Sequence, residues 1–370
     1  MPIPQPARTA VKWLLSLAIG ALFVWLALDE WPIDTLTAGG VRLDGRWLAT
    51  GAWRVDLWFL PAYFATLVVM HVFRFWRWQP LLKPLAHVDL WTLNRVCSVG
   101  FMAVFLMPMR LGELVRPALI STEAPIRRST ALATIVVERV VDGVMVAGFL
   151  AVALAFMPRT HGDSFTEIRI GTYVALALFG GLVAALALMF AFRRPFHRWV
   201  HAFTARFSGR LATAIGGILE RFLTGLSIFP DVKNFLWFLF LSFCYWASNG
   251  IGLYLLAQGF EVAGPAAGTW QPFGIPLLGA FAMMSTIVVG MMIPNAPANV
   301  GSFWYFLLKP IELYGVLPGN PAGLAFALTV WSLQLLQLLV FGGWFLLTGS
   351  IPWRRAFSVG TWAQAATGDD

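Results

Sequence analysis

A short polar stretch with two arginines and a glutamate follows directly on an apolar run in this sequence. The stretch reads MPMRLGELVRP at 107–117 and carries Arg110, Glu113 and Arg116. Arginine is suited to bidentate recognition of phosphate and carboxylate groups, and a glutamate among arginines gives the stretch both signs of charge. Such a combination can bind a zwitterionic or phosphate-bearing headgroup.

A second charged group interrupts the apolar run at 131–157. Glu138 and Asp142 are four residues apart and share one face of a helix, and Arg139 lies on an adjacent part of that face. Two carboxylates this close repel each other unless cations share the site, and charge at membrane depth is retained mainly for function or orientation. We expect the charges of 107–117 to supply the partners. The result is either a headgroup site or a closed salt-bridge network that locks the two segments together, and both roles can coexist.

A third polar stretch, IPNAPANVGS at 293–302, carries no charge and also follows an apolar run. Proline disrupts a helix, and non-helical backbone at membrane depth is tolerated only where it is buried in protein or lines a cavity. We therefore expect both proline-containing stretches to face one internal cavity. Asn295 and Asn299 would then contact the headgroup on the outer side, where no charge holds it.

The composition defines the class of protein to which these stretches belong. Of the 370 residues, 59% are hydrophobic and only 12% are charged, which is too apolar for the surface of a water-soluble domain. Cys97 and Cys244 lie in different apolar segments, and the five histidines form no metal-binding pattern with carboxylates in an apolar helix. We predict a polytopic membrane protein without a metal or another cofactor.

Apolar runs of about 20 residues, the length that crosses a bilayer, set the architecture. We predict an all-α protein with six full spans, which are 12–28, 55–76, 131–157, 170–192, 234–257 and 322–348. The runs 96–107 and 275–293 break at prolines and are predicted to form two re-entrant hairpins. A basic amphipathic helix at 197–226 is expected to lie on anionic lipids of the inner leaflet.

The positive charges orient this arrangement. With the amino terminus inside, the outside holds only six of the 26 lysines and arginines, so that 20 fall inside. The six are Arg42, Arg46, Arg54, Arg159, Arg169 and Lys309. We therefore expect a multi-pass protein of a bacterial-type cytoplasmic membrane with both termini in the cytoplasm. The net charge of +8 is accounted for by contact with anionic inner-leaflet lipid, and no nucleic-acid partner is expected.

The order of elements indicates an internal repeat within one transmembrane domain, 1–370. The first half, about 1–160, and the second half, about 165–350, each run span, span, broken hairpin, span, and a tail follows at 351–370. Three crossings per half invert the second half, as in the 3+3 inverted repeats of secondary transporters. The competing interpretation is that both broken runs are ordinary spanning helices with proline ends.

Three segments together resemble a known family. They are PMRLGELVRP, RRSTALATIVVERVVDG at 127–143 and PNAPANVGS, and they are similar to the transmembrane region of lysylphosphatidylglycerol synthase, a flippase-like family of integral membrane proteins. The resemblance covers nearly the whole chain and implies a lipid translocase fold. Many relatives have a glutamate after the distal glycine, where this chain has Ser302. The matching motif positions are Gly112, Glu113, Arg116, Pro117, Glu138, Arg139, Asp142, Pro294, Pro297, Gly301 and Ser302.

The expected function is translocation of a phospholipid or a polyprenyl-phosphate-linked lipid between leaflets. Only about 20 residues follow the last predicted span, so we expect no aminoacyl-transferase domain and no enzymatic activity, with any lipid modification made by a separate enzyme. One alternative is a membrane-embedded transferase using a lipid-linked donor, supported by Asp29, Glu30 and Asp34 outside the first span. Another is a scaffold subunit that transports nothing.

Overall fold

A computed structural model describes residues 5–156 and 231–352, apart from positions 32, 38, 294, 295, 315 and 317, together with isolated positions between 170 and 192. The predicted span at 170–192 falls mostly outside the described residues. The amphipathic segment 197–226 and residues 353–370 of the predicted tail lie wholly outside them.

The described chain is mostly helical, and helices occupy the predicted spans that it covers. The helices are α1 (Gln5–Glu30), α2 (Phe59–Trp76), α3 (Trp78–Leu82), α4 (Leu90–Leu106), α5 (Val115–Glu123), α6 (Arg128–Ala155), α7 (Val232–Gln258), α8 (Leu277–Met292), α9 (Ser302–Leu308) and α10 (Pro321–Leu347). Within these residues, four helical stretches are long and apolar enough to cross a membrane, namely α1, α2 with α3, α7 and α10. Large apolar side chains such as Leu14 and Trp25 are exposed on α1, which is what a lipid-facing helix requires.

Helix α6 is different from these four. It covers most of the predicted span 131–157 with 28 residues, but Glu138, Arg139 and Asp142 lie near its middle. Glu138 and Asp142 are buried, so this helix presents its charge to the protein interior.

Helices α4 and α8 end where the sequence predicts a break. Helix α4 ends at Leu106, and the chain continues through the 3₁₀ segment Pro108–Leu114 into α5, which packs back on α4. Helix α8 ends at Met292, and the 3₁₀ segment Pro297–Asn299 leads into α9, which packs back on α8. At 17 and 16 residues, α4 and α8 are shorter than a typical spanning helix.

A small antiparallel sheet corrects the all-α prediction. Its strands, in the order β1-β2-β3-β4-β5, are β1 (Arg42–Asp44), β2 (Trp47–Ala49), β3 (Trp53–Asp56), β4 (Phe260–Ala263) and β5 (Trp270–Pro272). Strand β3 pairs with β4, so the sheet joins the chain before α2 to the chain after α7. Strands of three or four residues are too short to show a periodic pattern, which is why the sequence gives no sign of them.

Contacts at the opposite end of α2 and α7 complete this pairing. Helices α2 and α7 pack along each other, and Lys83 after α3 donates a hydrogen bond of 3.3 Å to Asn234 at the start of α7. Helix α4 begins nearby and is capped by the Asp89 carboxylate, which accepts from the hydroxyl and the backbone N–H of Thr92 at 2.7 and 2.9 Å. These hydrogen bonds hold the pKa of Asp89 below its usual range.

Two glycines allow the interrupted segments to approach other helices closely. A Cβ on Gly112 would lie 2.2 Å from the backbone nitrogen of Val104 on α4. Gly301 has φ +83°, and a Cβ there would lie 2.5 Å from the backbone nitrogen of Val24 on α1. Any larger residue at these positions would push the segment away from its neighbour.

Candidate functional site

The two carboxylates in the middle of α6 are held by an arginine that the sequence did not associate with them. Arg77 follows the last residue of α2 and donates to Asp142 at 2.5 and 2.9 Å and to Glu138 at 2.7 Å. The Arg77, Glu138 and Asp142 side chains are at most 2% exposed. Asp142 also accepts from the indole N–H of Trp246 on α7 at 2.9 Å. This part of the site therefore joins α2, α6 and α7.

Arg116 on α5 completes the buried part of the cluster. Its guanidinium donates to both oxygens of Glu138, at 3.2 and 2.9 Å, and lies over the rings of Trp78 and Phe101, at 4.3 and 4.5 Å from their centroids. Gly100 provides the space, since a Cβ there would lie 2.3 Å from Cγ of Arg116. We call Arg77, Arg116, Glu138 and Asp142 the buried network.

A second set of charges is partly exposed. Glu113 accepts from Arg110 at 2.5 Å and from Arg139 at 3.0 Å, and these three side chains are 20 to 28% exposed. Arg139 also reaches Asp142 at 3.6 Å, which connects this set to the buried network. We call Arg110, Glu113 and Arg139 the rim charges.

The rim charges also connect the two interrupted segments. Arg110 donates to the backbone carbonyl of Met291, in the last turn of α8. The 3₁₀ segments Pro108–Leu114 and Pro297–Asn299 are in contact as well. The sequence predicted that these segments meet, and they do so beside the charged cluster.

A cavity of about 100 Å³ lies between these elements. Its wall is apolar over most of its extent and includes Phe101, Tyr245 and methionines of α8. Polar groups reach it from α2, α6, α7, α10 and both interrupted segments. They are Arg74, Arg110, Arg139, Asp142, Asn249, Asn299, Gln334 and Gln337. A cavity with an apolar wall and a few convergent polar groups is the usual form of a ligand site.

The backbone is strained beside the cavity. Within the described residues, the non-glycine residues with positive φ are Arg110, Ala298 and Asn299, with values of 58°, 58° and 53°. All three belong to the interrupted segments. Left-handed backbone costs about 1–2 kcal/mol at residues such as Arg110 and Ala298, and less at Asn299, because asparagine adopts this conformation more readily. Such residues cluster at ligand sites and switch regions.

The distal residues predicted from the sequence occupy different environments. Asn299 lines the cavity, whereas Gly301 packs on α1 and Ser302 is buried, with its hydroxyl donating to the Asn299 carbonyl at 3.2 Å. Pro294 and Asn295 lie outside the described residues.

Sequence reasoning missed Arg74 and Arg77, which it counted only among the positive charges of the cytoplasmic side. The sequence RFWRW at 74–78 does contain a usable signal. Residues three apart share a helical face, so two arginines at this spacing at the end of an apolar helix could have been assigned to the carboxylates of α6.

The acidic group that supported a transferase lies apart from the cavity. Glu30 at the end of α1 forms an ion pair of 2.8 Å with Lys309, which also contacts Glu312 at 3.3 Å. Among the described residues, no group of three or more histidines, cysteines and acidic residues is arranged to hold a metal ion.

The fold and the site define a helical membrane protein in which two interrupted helices and a charged cluster surround a cavity. A family model described as the lysylphosphatidylglycerol synthase TM region matches residues 13–342, and the chain belongs to this family. Neither the comparison with curated proteins nor that with solved structures found a match.

Proposed function

We propose that this chain is a lipid translocase of the cytoplasmic membrane. It moves a lipid with a charged headgroup between leaflets and leaves the lipid chemically unchanged. The single observation that carries the proposal is the cavity, because charged side chains, a strained backbone and both interrupted segments meet at its wall. The family description, which names a lipid synthase region, supports a lipid as the ligand.

The proposed topology has two re-entrant hairpins, α4 with α5 and α8 with α9. Helix α4 begins near Lys83, at the end of α2 and α7 opposite the sheet, and α8 begins soon after β5 of the sheet. This supports entry of the hairpins from opposite faces. An inverted repeat with six spans and both termini in the cytoplasm agrees with this arrangement and with the distribution of positive charge.

The two parts of the charged cluster have separate roles in this proposal. Each charge of the buried network has an ion-pair partner within it, and the network holds α2, α5 and α6 together. The rim charges contact the headgroup, because they are partly exposed and Arg110 and Arg139 line the cavity. Rocking of one hairpin against the other would open the cavity to each leaflet in turn while the acyl chains stay in lipid.

The test is reconstitution of the purified chain into liposomes with a fluorescent phospholipid. We expect faster movement between leaflets than in protein-free liposomes, measured by bleaching of the outer leaflet, and an unchanged lipid mass by mass spectrometry. A change in lipid mass would instead indicate a transferase. Absence of movement would contradict the proposal.

Glu113→Gln tests whether the rim charges act in translocation. The substitution weakens two charge-assisted hydrogen bonds of about 1.5–3 kcal/mol each, and 1.4 kcal/mol in the transition state corresponds to about tenfold in rate. We therefore expect translocation about tenfold slower. Glu123→Gln is the matched control, since Glu123 also pairs with an arginine, Arg95 at 2.8 Å, away from the cavity. Equal rates for the two variants would exclude the rim charges from the pathway.

A further inference from the structure

Within the described residues, Arg74 is the cavity-wall arginine without an ion-pair partner. Arg77, Arg110, Arg116 and Arg139 each form an ion pair with a carboxylate. Arg74 has neither a hydrogen bond nor an ion pair to any residue in the described part of the chain. Its guanidinium is therefore available to a ligand.

Aromatic rings hold Arg74 in place. The guanidinium carbon lies 3.4 Å from the ring centroid of Phe101 and 6.0 Å from that of Tyr245, and all three residues line the cavity. An arginine that stacks on a ring keeps its N–H donors free in the plane of the guanidinium. This arrangement suits bidentate binding of a phosphate.

The charges around the cavity leave a positive excess. The rim charges and the buried network together contain four arginines and three carboxylates, and Arg74 is a fifth arginine. The formal excess is therefore two positive charges. Arg74 is close enough to Arg77, Arg116 and Arg139 to be repelled by them. An anion in the cavity would relieve this repulsion.

Asn249 on α7 gives an independent indication of a ligand. Its side-chain oxygen is buried without a hydrogen-bond partner among the described residues, and Asn249 lines the same cavity as Arg74. A buried acceptor needs a donor, which a headgroup hydroxyl or a water can supply. Roughly 10–15 Å³ of such space holds one water molecule, so a cavity of about 100 Å³ has room for a phosphate with part of its substituent.

We propose that Arg74 binds the phosphate of the translocated lipid, and that this lipid is an anionic phospholipid with a hydroxyl-bearing headgroup. The inference rests on the proposed function and names the substrate class of the same site. An ammonium group in the headgroup would add to the positive excess, whereas a hydroxyl can donate to Asn249. Phosphatidylglycerol has the phosphate and the hydroxyls and carries no ammonium group. Its lysyl ester and phosphatidylethanolamine both carry ammonium groups.

The first test measures binding in detergent with short-chain lipids by calorimetry. We expect dihexanoyl phosphatidylglycerol to bind more tightly than dihexanoyl phosphatidylethanolamine. Arg74→Gln should weaken binding of the former roughly 10- to 100-fold, the effect of losing a charge-assisted hydrogen bond, and Arg74→Lys should lie between. Arg95→Gln should bind like the wild type. Glycerol 3-phosphate is the soluble comparison, and equally tight binding of it would overturn the assignment to a lipid.

The second test ranks phosphatidylglycerol, its lysyl ester and phosphatidylethanolamine by translocation rate in liposomes. We expect phosphatidylglycerol to be fastest and Arg74→Gln to abolish the preference. If the wild type binds phosphatidylglycerol through Arg74 but moves no lipid, the site stands and the translocase function fails. If the wild type moves all three lipids equally, or Arg74→Gln keeps the preference, the function stands and the site fails. An Arg74→Gln chain that does not fold would also overturn the inference, because loss of an unpaired charge should not unfold the protein.

Discussion

Replacing Arg77 by methionine should destabilise this protein more than any change to its partly exposed arginines. Arg77 donates three hydrogen bonds to two carboxylates, at 2.5, 2.7 and 2.9 Å. Its removal leaves Glu138 with Arg116, but Asp142 keeps only the indole N–H of Trp246 at 2.9 Å and the more distant Arg139 at 3.6 Å. Asp142 thus becomes a buried and poorly compensated charge.

The size of the effect follows from these contacts. Hydrogen bonds to charged groups contribute about 1.5–3 kcal/mol each, which gives an upper bound of about 9 kcal/mol for three. Relaxation and water entry reduce this, and breaking one side of a buried ion pair costs about 3–5 kcal/mol. At about 2–4 °C per kcal/mol, the melting temperature should fall by about 10 °C.

The assay is tryptophan fluorescence during heating of the purified protein, which contains 18 tryptophans. Arg95→Met is the matched control, because the Arg95–Glu123 pair is more than 20% exposed on both sides and such pairs contribute about 0–1 kcal/mol. The double variant Arg77→Met/Asp142→Leu removes the charge left behind by the single change and should recover part of the loss. If the melting temperatures of Arg77→Met and the control differ by less than about 2 °C, the buried network does not hold these helices together.

Two further predictions concern the interrupted segments. Gly301→Ala should lower the melting temperature by several degrees, because Gly301 has φ +83° and an added Cβ would lie 2.5 Å from the Val24 nitrogen. Gly343→Ala is the control and should leave the melting temperature unchanged, because an added Cβ there meets nothing within 4 Å. Equal melting temperatures for the two variants would contradict the close packing of Gly301 on α1. Glu113→Gln should slow translocation and melt within a few degrees of Glu123→Gln; a large fall in stability would make Glu113 a structural residue.

The sequence predicted much of the helical framework because its signals are local. Prolines at 108 and 294 mark the ends of α4 and α8 to within two residues, and the loss of a backbone donor at proline explains both. The predicted spans 12–28, 234–257 and 322–348 coincide with long apolar helices. The predicted span 55–76 overlaps a fourth, but its first two residues belong to β3. Family membership was also recognisable, because the charged motifs are contiguous in the chain.

The missed features depend on contacts between distant segments. The sheet requires β3 to pair with β4, about 200 residues later, and its strands are too short to be seen alone. Arg77 is 61 residues from Glu138 and 65 from Asp142, so its role depends on how α2 packs against α6. Arg74 stands out as a candidate ligand-binding residue only once the ion-pair partners of the other arginines are known. Sequence periodicity does not reveal those partners.

Lipid translocation with the two interrupted segments reversibly joined tests whether lipid passes between them. Cysteines would replace Met109, in the first 3₁₀ segment, and Ala296, directly before the second, because these two segments contact each other. Oxidation of the reconstituted protein would then join them by a disulfide. We expect oxidation to stop movement of labelled phosphatidylglycerol between leaflets and a reductant to restore it. Variants that carry only one of the two added cysteines beside Cys97 and Cys244 should be unaffected by oxidation. Unchanged translocation by fully crosslinked protein would show that lipid does not pass between these segments.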